Sequence, residues 1–187
     1  MKEINSSKIK NRIKVHFRKN RQIINRQIND FFDWVKGAEL VSLKECNTTE
    51  DPVRPELDNE FRTSYGRKIY GVKYKNEIYA IMCFAFTNKI PKSVSELDNF
   101  SKDAFLQSVH RDQKVGQIAI AYTVWSKKKG GGKLIVKEVF KMIKKSNHLN
   151  RLVTLSPLTE MATKFHLRNK AKLISVNDKT QNFEYIK

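Results

Sequence analysis

Between residues 6 and 36, Ile9, Ile13, Phe17, Ile24, Ile28, Phe31 and Val35 recur at intervals of three, four or seven. That period places them on one face of an amphipathic helix. Ser6 or Ser7 is suited to cap its start, and Gly37 stands where a helix stops. The period then changes. Residues 40–45 read as a short strand, and residues 47–55, with Pro52 and Pro55, as turns. Residues 68–74 alternate and are rich in Ile, Val and Tyr. Residues 75–77 turn, and residues 78–87 are a long apolar strand, so the two make a hairpin.

Residues 91–107 are polar, and Val94, Leu97, Phe100, Ala104 and Phe105 suggest one or two short helices. Residues 115–126 are strongly apolar and predict a central strand. A helix over 133–145 follows, carried by Ile135, Val136, Val139, Phe140, Met142 and Ile143. A strand over 152–155, a helix over 158–169 and a strand pair, 172–176 and 182–186, complete the chain. This order predicts a mixed α/β (α+β) sheet with a right-handed crossover. It divides the chain into a helical arm, 1–38, and one domain, 39–187.

Charge changes the picture more than size does. The 187 residues carry 37 basic and 19 acidic side chains, a net charge of +18. That excess favours polyanions: nucleic acid, an anionic membrane surface or phosphorylated small molecules. The arm concentrates it, with Lys8, Lys10, Arg12, Lys14, Arg18, Lys19, Arg21 and Arg26 between its apolar positions. Such a helix packs on the domain, pairs with a second copy in a homo-oligomer, or meets a membrane or nucleic acid. No apolar run is long enough to span a membrane, and the first residues lack the apolar core of a signal peptide. Cys46 and Cys83 are far apart and read as reduced thiols of a cytoplasmic protein. His16, His110, His148 and His166 show no metal-ligand spacing with them.

Two stretches carry chemistry. Lys127-Lys128-Lys129-Gly130-Gly131-Gly132-Lys133 lies between an apolar strand and a helix. Glycines let the backbone approach a ligand closely, and the unpaired N–H groups of the helix start attract phosphate. The spacing fits neither a Walker loop nor the dinucleotide fingerprint. The other reading is a solvated turn. Downstream, Ser156 precedes Pro157, and His166 and Asn169 lie in Phe165-His166-Leu167-Arg168-Asn169. Ser before Pro is also the signature of a helix cap followed by its first residue, and His166 equally suits a packed helix position.

Lys127-x-x-Gly130-x-Gly132 resembles the acyl-CoA-binding loop of the GNAT acyltransferase superfamily, with Lys127 where Gln or Arg is usual. A narrower resemblance is to the malonyl-CoA decarboxylase family, itself GNAT-like. It rests on residues 121–126, the Gly loop, residues 134–139, Thr154-Leu155-Ser156-Pro157, residues 165–169 and residues 182–185, in the same order. Residues 85–90 and 93–94 extend it upstream, so it covers roughly 78–187. The resemblance implies a GNAT-like fold, coenzyme A as part of an acyl-CoA substrate, no metal, and catalytic Ser156 and His166. The chain departs from the family in three places, the first being that no counterpart of the family's helical N-terminal domain is expected in residues 1–60. Only eight residues separate Pro157 from His166, where the family has a long helical insertion, and Lys170 replaces a glycine.

Decarboxylation of a malonyl thioester gives an enolate that must be stabilised and protonated. Ser156 is suited to hold the carboxylate, His166 to deliver the proton, and Asn169 to orient His166 or the substrate. One geometric condition applies. A helix starting at Pro157 would put about 15 Å between Ser156 and His166, so the chain must loop first and start its helix near Thr159 or Glu160. The alternative is N-acyl transfer from CoA to an amine. There His166 would protonate the thiolate, and only Glu77, Asp112 and Glu160 offer themselves as a base. A further alternative is a non-enzymatic nucleic-acid binder acting through the basic arm, with steeply salt-dependent binding.

Overall fold

The computed structural model of this chain describes residues 6–111, 114 and 116–186, with no side chain before Arg21 and none for Gln22. Ile9, Ile13, Phe17 and the charges from Lys8 to Lys19 therefore lie outside the described side chains, as do the proposed caps Ser6 and Ser7; Asp112 and Val115 lie outside the described residues. The chain divides into two compact units, Met1–Ala38 and Glu39–Lys187. The first is one helix, α1 (Ser6–Gly37), which ends on its glycine with Lys36 in the last turn.

The second unit is built on a mixed sheet of eight strands. Its strands are β1 (Glu39–Leu43), β2 (Lys68–Tyr74), β3 (Glu77–Thr87), β4 (Ile118–Ser126), β5 (Arg151–Thr154), β6 (Ser156–Pro157), β7 (Ala171–Val176) and β8 (Thr180–Tyr185). Along the sheet the order is β1-β2-β3-β4-β5-β8-β6, with β7 also on β8. The hairpin of β2 and β3 turns at Lys75 and Asn76, both in the left-handed region. β4 and β5 are parallel, joined through α4 (Gly131–Lys145); the other pairs are antiparallel.

Alternation gives the sheet two faces. Ile81, Cys83 and Ala85 of β3 share one core with Ile118, Ile120, Tyr122 and Trp125 of β4. This core takes in Leu97 of α3 (Val94–Arg111), a single helix where the polar run suggests one or two short ones. α4 packs on β3 and β4 with Leu134, Ile135, Val136, Val139 and Ile143 buried. The start of α4 lies against Ala80, which points to the other face of β3. A 3-10 turn (Thr48–Glu50) lies within residues 47–55, expected to be turns, and a five-residue helix, α2 (Asn59–Thr63), follows where the sequence predicts no element. The predicted helix over 158–169 is shorter: Ser156 and Pro157 form β6, Thr159 caps the helix, and α5 runs Glu160–Arg168. Ser156 is therefore a strand residue, not a helix cap.

Candidate active site

The site begins where two parallel strands part. β4 and β5 pair from Ile118 opposite Arg151 to Ala121 opposite Thr154, and Leu155 N–H still reaches Ala121 O at 2.9 Å. Beyond that point β4 continues beside β3, while the other chain turns into β6 and pairs with β8 at Gln181. β4 also carries a bulge. Cys83 faces Thr123 and Phe84 faces Ala121, so Tyr122 has no residue opposite it on β3. The guanidinium of Arg54 fills the fork, donating from Nε to Tyr122 O at 2.9 Å and from Nη2 to Leu155 O at 2.8 Å.

Arg54 is held by a buried network. Asp51 pairs with Arg62 at 2.9 Å, both side chains fully buried, and accepts from Thr123 Oγ1 at 2.8 and 2.9 Å. Arg62 also donates to Arg54 O, Leu57 O and Cys83 Sγ. An irregular segment thus gains a fixed seat on β4, because each buried donor has an acceptor.

Between the parted strands lies a cavity of about 330 Å³. Val124, Trp125, Leu152 and Phe165 make it apolar; its polar groups include Thr154, Ser156, His166 and Tyr185. No Asp, Glu, Lys or Arg lines it among the described residues. Ser156 Oγ lies 2.7 Å from His166 Nε2, which meets the geometric condition because α5 starts only at Glu160. His166 Nδ1 lies 2.9 Å from the Tyr185 hydroxyl, and Ser156 Oγ lies 3.0 Å from Thr154 Oγ1. Phe183 N–H in turn donates to Thr154 Oγ1. The chain Thr154–Ser156–His166–Tyr185 is thus continuous.

The imidazole is 5 % exposed, stacks on Phe183 at 4.9 Å and meets Phe165 edge-on at 5.1 Å. Burial opposes its positive charge and pulls its pKa from 6.5 down to about 4. Burial likewise pushes the Tyr185 phenol up. At neutral pH the site therefore holds a neutral imidazole between two hydroxyls.

The cavity shares Gly132, Met161 and Phe165 with a second, open groove of about 640 Å³. Gly130, Gly132 and Lys133 from the start of α4, and Glu160, Lys164, Arg168 and Asn169 from α5, line this groove, with Lys164 ion-paired to Glu160 at 2.5 Å and Lys133 and Arg168 leaving it net positive. Gly130 takes φ +86 as the helix cap and offers no side-chain acceptor, and the first turn carries no acidic residue. The helix start thus presents N–H groups and partial positive charge to a groove flanked by cations. Gly131 has a packing reason: a Cβ there would lie 2.9 Å from Ser126 Cβ and 3.3 Å from Ala80 Cβ.

Ser156 and His166 come together, and Gly130, Gly132 and Lys133 share one groove with Asn169. Asn169 does not reach the imidazole. Its amide donates to Phe165 O at 2.8 Å, and Tyr185 takes the place by Nδ1. Lys127 is ion-paired with Glu50 at 2.8 Å, and Lys128 lies over the rings of Tyr74 and Tyr79. Lys129 is exposed and is not among the residues lining the groove. Sequence reasoning missed Tyr185, Lys164, Arg168, Asp51, Arg54 and Arg62. For Lys164 and Arg168 a signal existed: they stand four apart, one helical turn, just after the Ser-Pro motif.

No protein-family model and no curated protein matches the chain. Solved structures do. The chain is similar to malonyl-CoA decarboxylase from Agrobacterium vitis, with a TM-score of 0.53 and 15% identity over 73% of this chain and 38% of that one. It is similar to an acetyltransferase from Bacillus subtilis solved in complex with CoA, with a TM-score of 0.55 and 10% identity over 80% of this chain and 99% of that one. This chain thus spans well under half of the decarboxylase's length. The chain thus shares the GNAT-like fold of these two proteins.

Proposed function

We propose that this GNAT-fold protein is an acyl-CoA enzyme that decarboxylates malonyl-CoA or a related β-carboxy thioester. The observation that carries the reading is the 2.7 Å contact of Ser156 with His166 inside an apolar cavity that opens onto a basic groove at a helix start. Coenzyme A is part of the substrate. The groove at Gly130, Gly132, Lys133, Lys164 and Arg168 would take its phosphates, and the cavity the thioester and acyl end.

The chemistry follows from the lining. Carbon dioxide leaves as a neutral molecule, so apolar walls with no Lys or Arg among the described lining residues to hold the carboxylate favour its loss. Ser156 holds that carboxylate by a hydrogen bond. An anion beside the imidazole favours its protonated form, so substrate binding draws a proton onto His166, which titrates near 4 when the cavity holds no charge. The proton then passes to the enolate carbon and completes the methyl group of the acetyl thioester: one proton in, one carbon dioxide out. Tyr185 keeps the ring oriented through Nδ1.

N-acyl transfer is the second reading, favoured by the match along 99% of the Bacillus acetyltransferase. It requires a base for the incoming amine, and among the described residues no carboxylate lines the cavity. The two readings separate in one experiment. The protein is incubated with malonyl-CoA alone, and with acetyl-CoA plus a panel of amines, and products are followed by mass spectrometry. Decarboxylation gives acetyl-CoA without an acceptor. Free CoA that appears only with an amine would replace it by transfer.

A further inference from the structure

Arg54 is a buried cation without an ion-pair partner, with Glu56 and Asp51 acting on it only at longer range. It is 7 % exposed, and its guanidinium bonds two backbone carbonyls, Tyr122 O and Leu155 O. Among the described residues no carboxylate lies within ion-pair distance of it, and the neighbouring Asp51 is paired with Arg62. Carbonyl dipoles offset part of the cost of burying such a charge, but a missing anion leaves it substantial. Arg54 faces a third groove, of about 740 Å³, whose lining includes Lys92, Glu96, Asp178, Lys179 and Thr180. Pro157 lines both this groove and the Ser156–His166 cavity.

The walls of this groove are tied together. Thr180 Oγ1 donates to Lys92 O at 2.6 Å, and Leu158 N–H to Lys179 O at 3.3 Å. Glu96 is already engaged, accepting from Lys92 N–H at 2.7 Å. Three cations face two carboxylates there, which leaves a single positive charge.

We propose that this groove binds a small, singly charged carboxylate, with Arg54 as its buried fixed charge and Lys92 and Lys179 as its exposed ones. A phosphate dianion fits the charge balance less well, since Glu96 and Asp178 would repel its second charge. The site stands apart from the acyl-CoA reading and holds whether or not CoA is turned over.

The test is a titration of the full chain, ¹⁵N-labelled and without CoA, at constant ionic strength. The probes are propionate, its neutral isostere propionamide, and inorganic phosphate. Propionate should shift the Arg54 Nε–H and Thr180 N–H resonances saturably, and propionamide should not. Replacing both exposed cations, Lys92→Ala with Lys179→Ala, should weaken propionate binding by about fivefold or more while leaving the spectrum of the sheet intact. Linear, unsaturable shifts, equal affinity in the double variant, or an equal response to propionamide would overturn the site. Tighter binding of phosphate than of propionate would overturn the assignment of a singly charged ligand.

Discussion

Replacing His166 by Gln removes an imidazole whose pKa the fold lowers from 6.5 to about 4. The cause is burial beside Phe165 and Phe183, with no carboxylate among the described lining residues to favour the charged ring. The unfolded chain takes up a proton near pH 6.5; the folded chain refuses it until about pH 4. In that window the unfolded state binds more protons, so acidification destabilises the native protein. From pH 7.5 to 4.5 this residue alone should cost about 2.5 kcal/mol of stability. His166→Gln lacks the titration. Glu184, whose carboxyl the hydrogen-bonded Arg151 holds below its usual range, titrates in both proteins and cancels in the difference. Urea unfolding followed by tryptophan fluorescence at half-unit pH steps gives that difference directly. The stability of wild type minus that of His166→Gln should fall by about 2.5 kcal/mol across the window, whatever constant offset the substitution adds. Curves that stay parallel within about 0.5 kcal/mol would refute a buried neutral imidazole.

Asp51→Asn should destabilise the protein by about 3–5 kcal/mol, read as a lower urea midpoint, because it leaves the fully buried Arg62 without its counter-charge. Lys170→Gly should stabilise by about 0.5 kcal/mol in thermal melts, since Lys170 holds φ +68 just after α5. Ser156→Ala and His166→Ala should each lower turnover of malonyl-CoA at least about 100-fold while CoA still binds by calorimetry; normal turnover in either removes that residue from the proposed chemistry. Replacing Lys133, Lys164 and Arg168 together by Ala should weaken CoA binding about tenfold or more at low salt, with a smaller loss at high salt; unchanged affinity would move the phosphates elsewhere.

The long elements were legible because each buries a continuous face. The run 68–74 became β2 with the same bounds, and the helix read over 133–145 became α4 with two glycines added at its start. α2 is five residues long, too short to show a period. β6 exists only because β8 lies beside it, a tertiary pairing that overrides the local preference of Ser-Pro for a helix start. The Ser156–His166 pair was legible from its motifs, but their contact depended on a helix boundary that Thr159 sets by capping Ala162 N–H. Arg54 lay among prolines and polar residues in no pattern at all, and only the folded chain reveals what it spans.

The extra residue in β4 has a consequence for any attempt to shorten or graft that strand. Ile118, Ile120 and Tyr122 enter the core as even-numbered positions, yet Trp125 enters the same core as an odd one. The offset at Tyr122 is what lets both sets agree. Removing Tyr122 itself would restore an ideal ladder with β3 and keep both sets on one face, at the loss of the carbonyl that Arg54 bonds; removing a residue elsewhere in the strand while the bulge stays would turn either the isoleucines or the tryptophan toward α4. The irregularity is thus the reference mark from which the strand's two halves are phased.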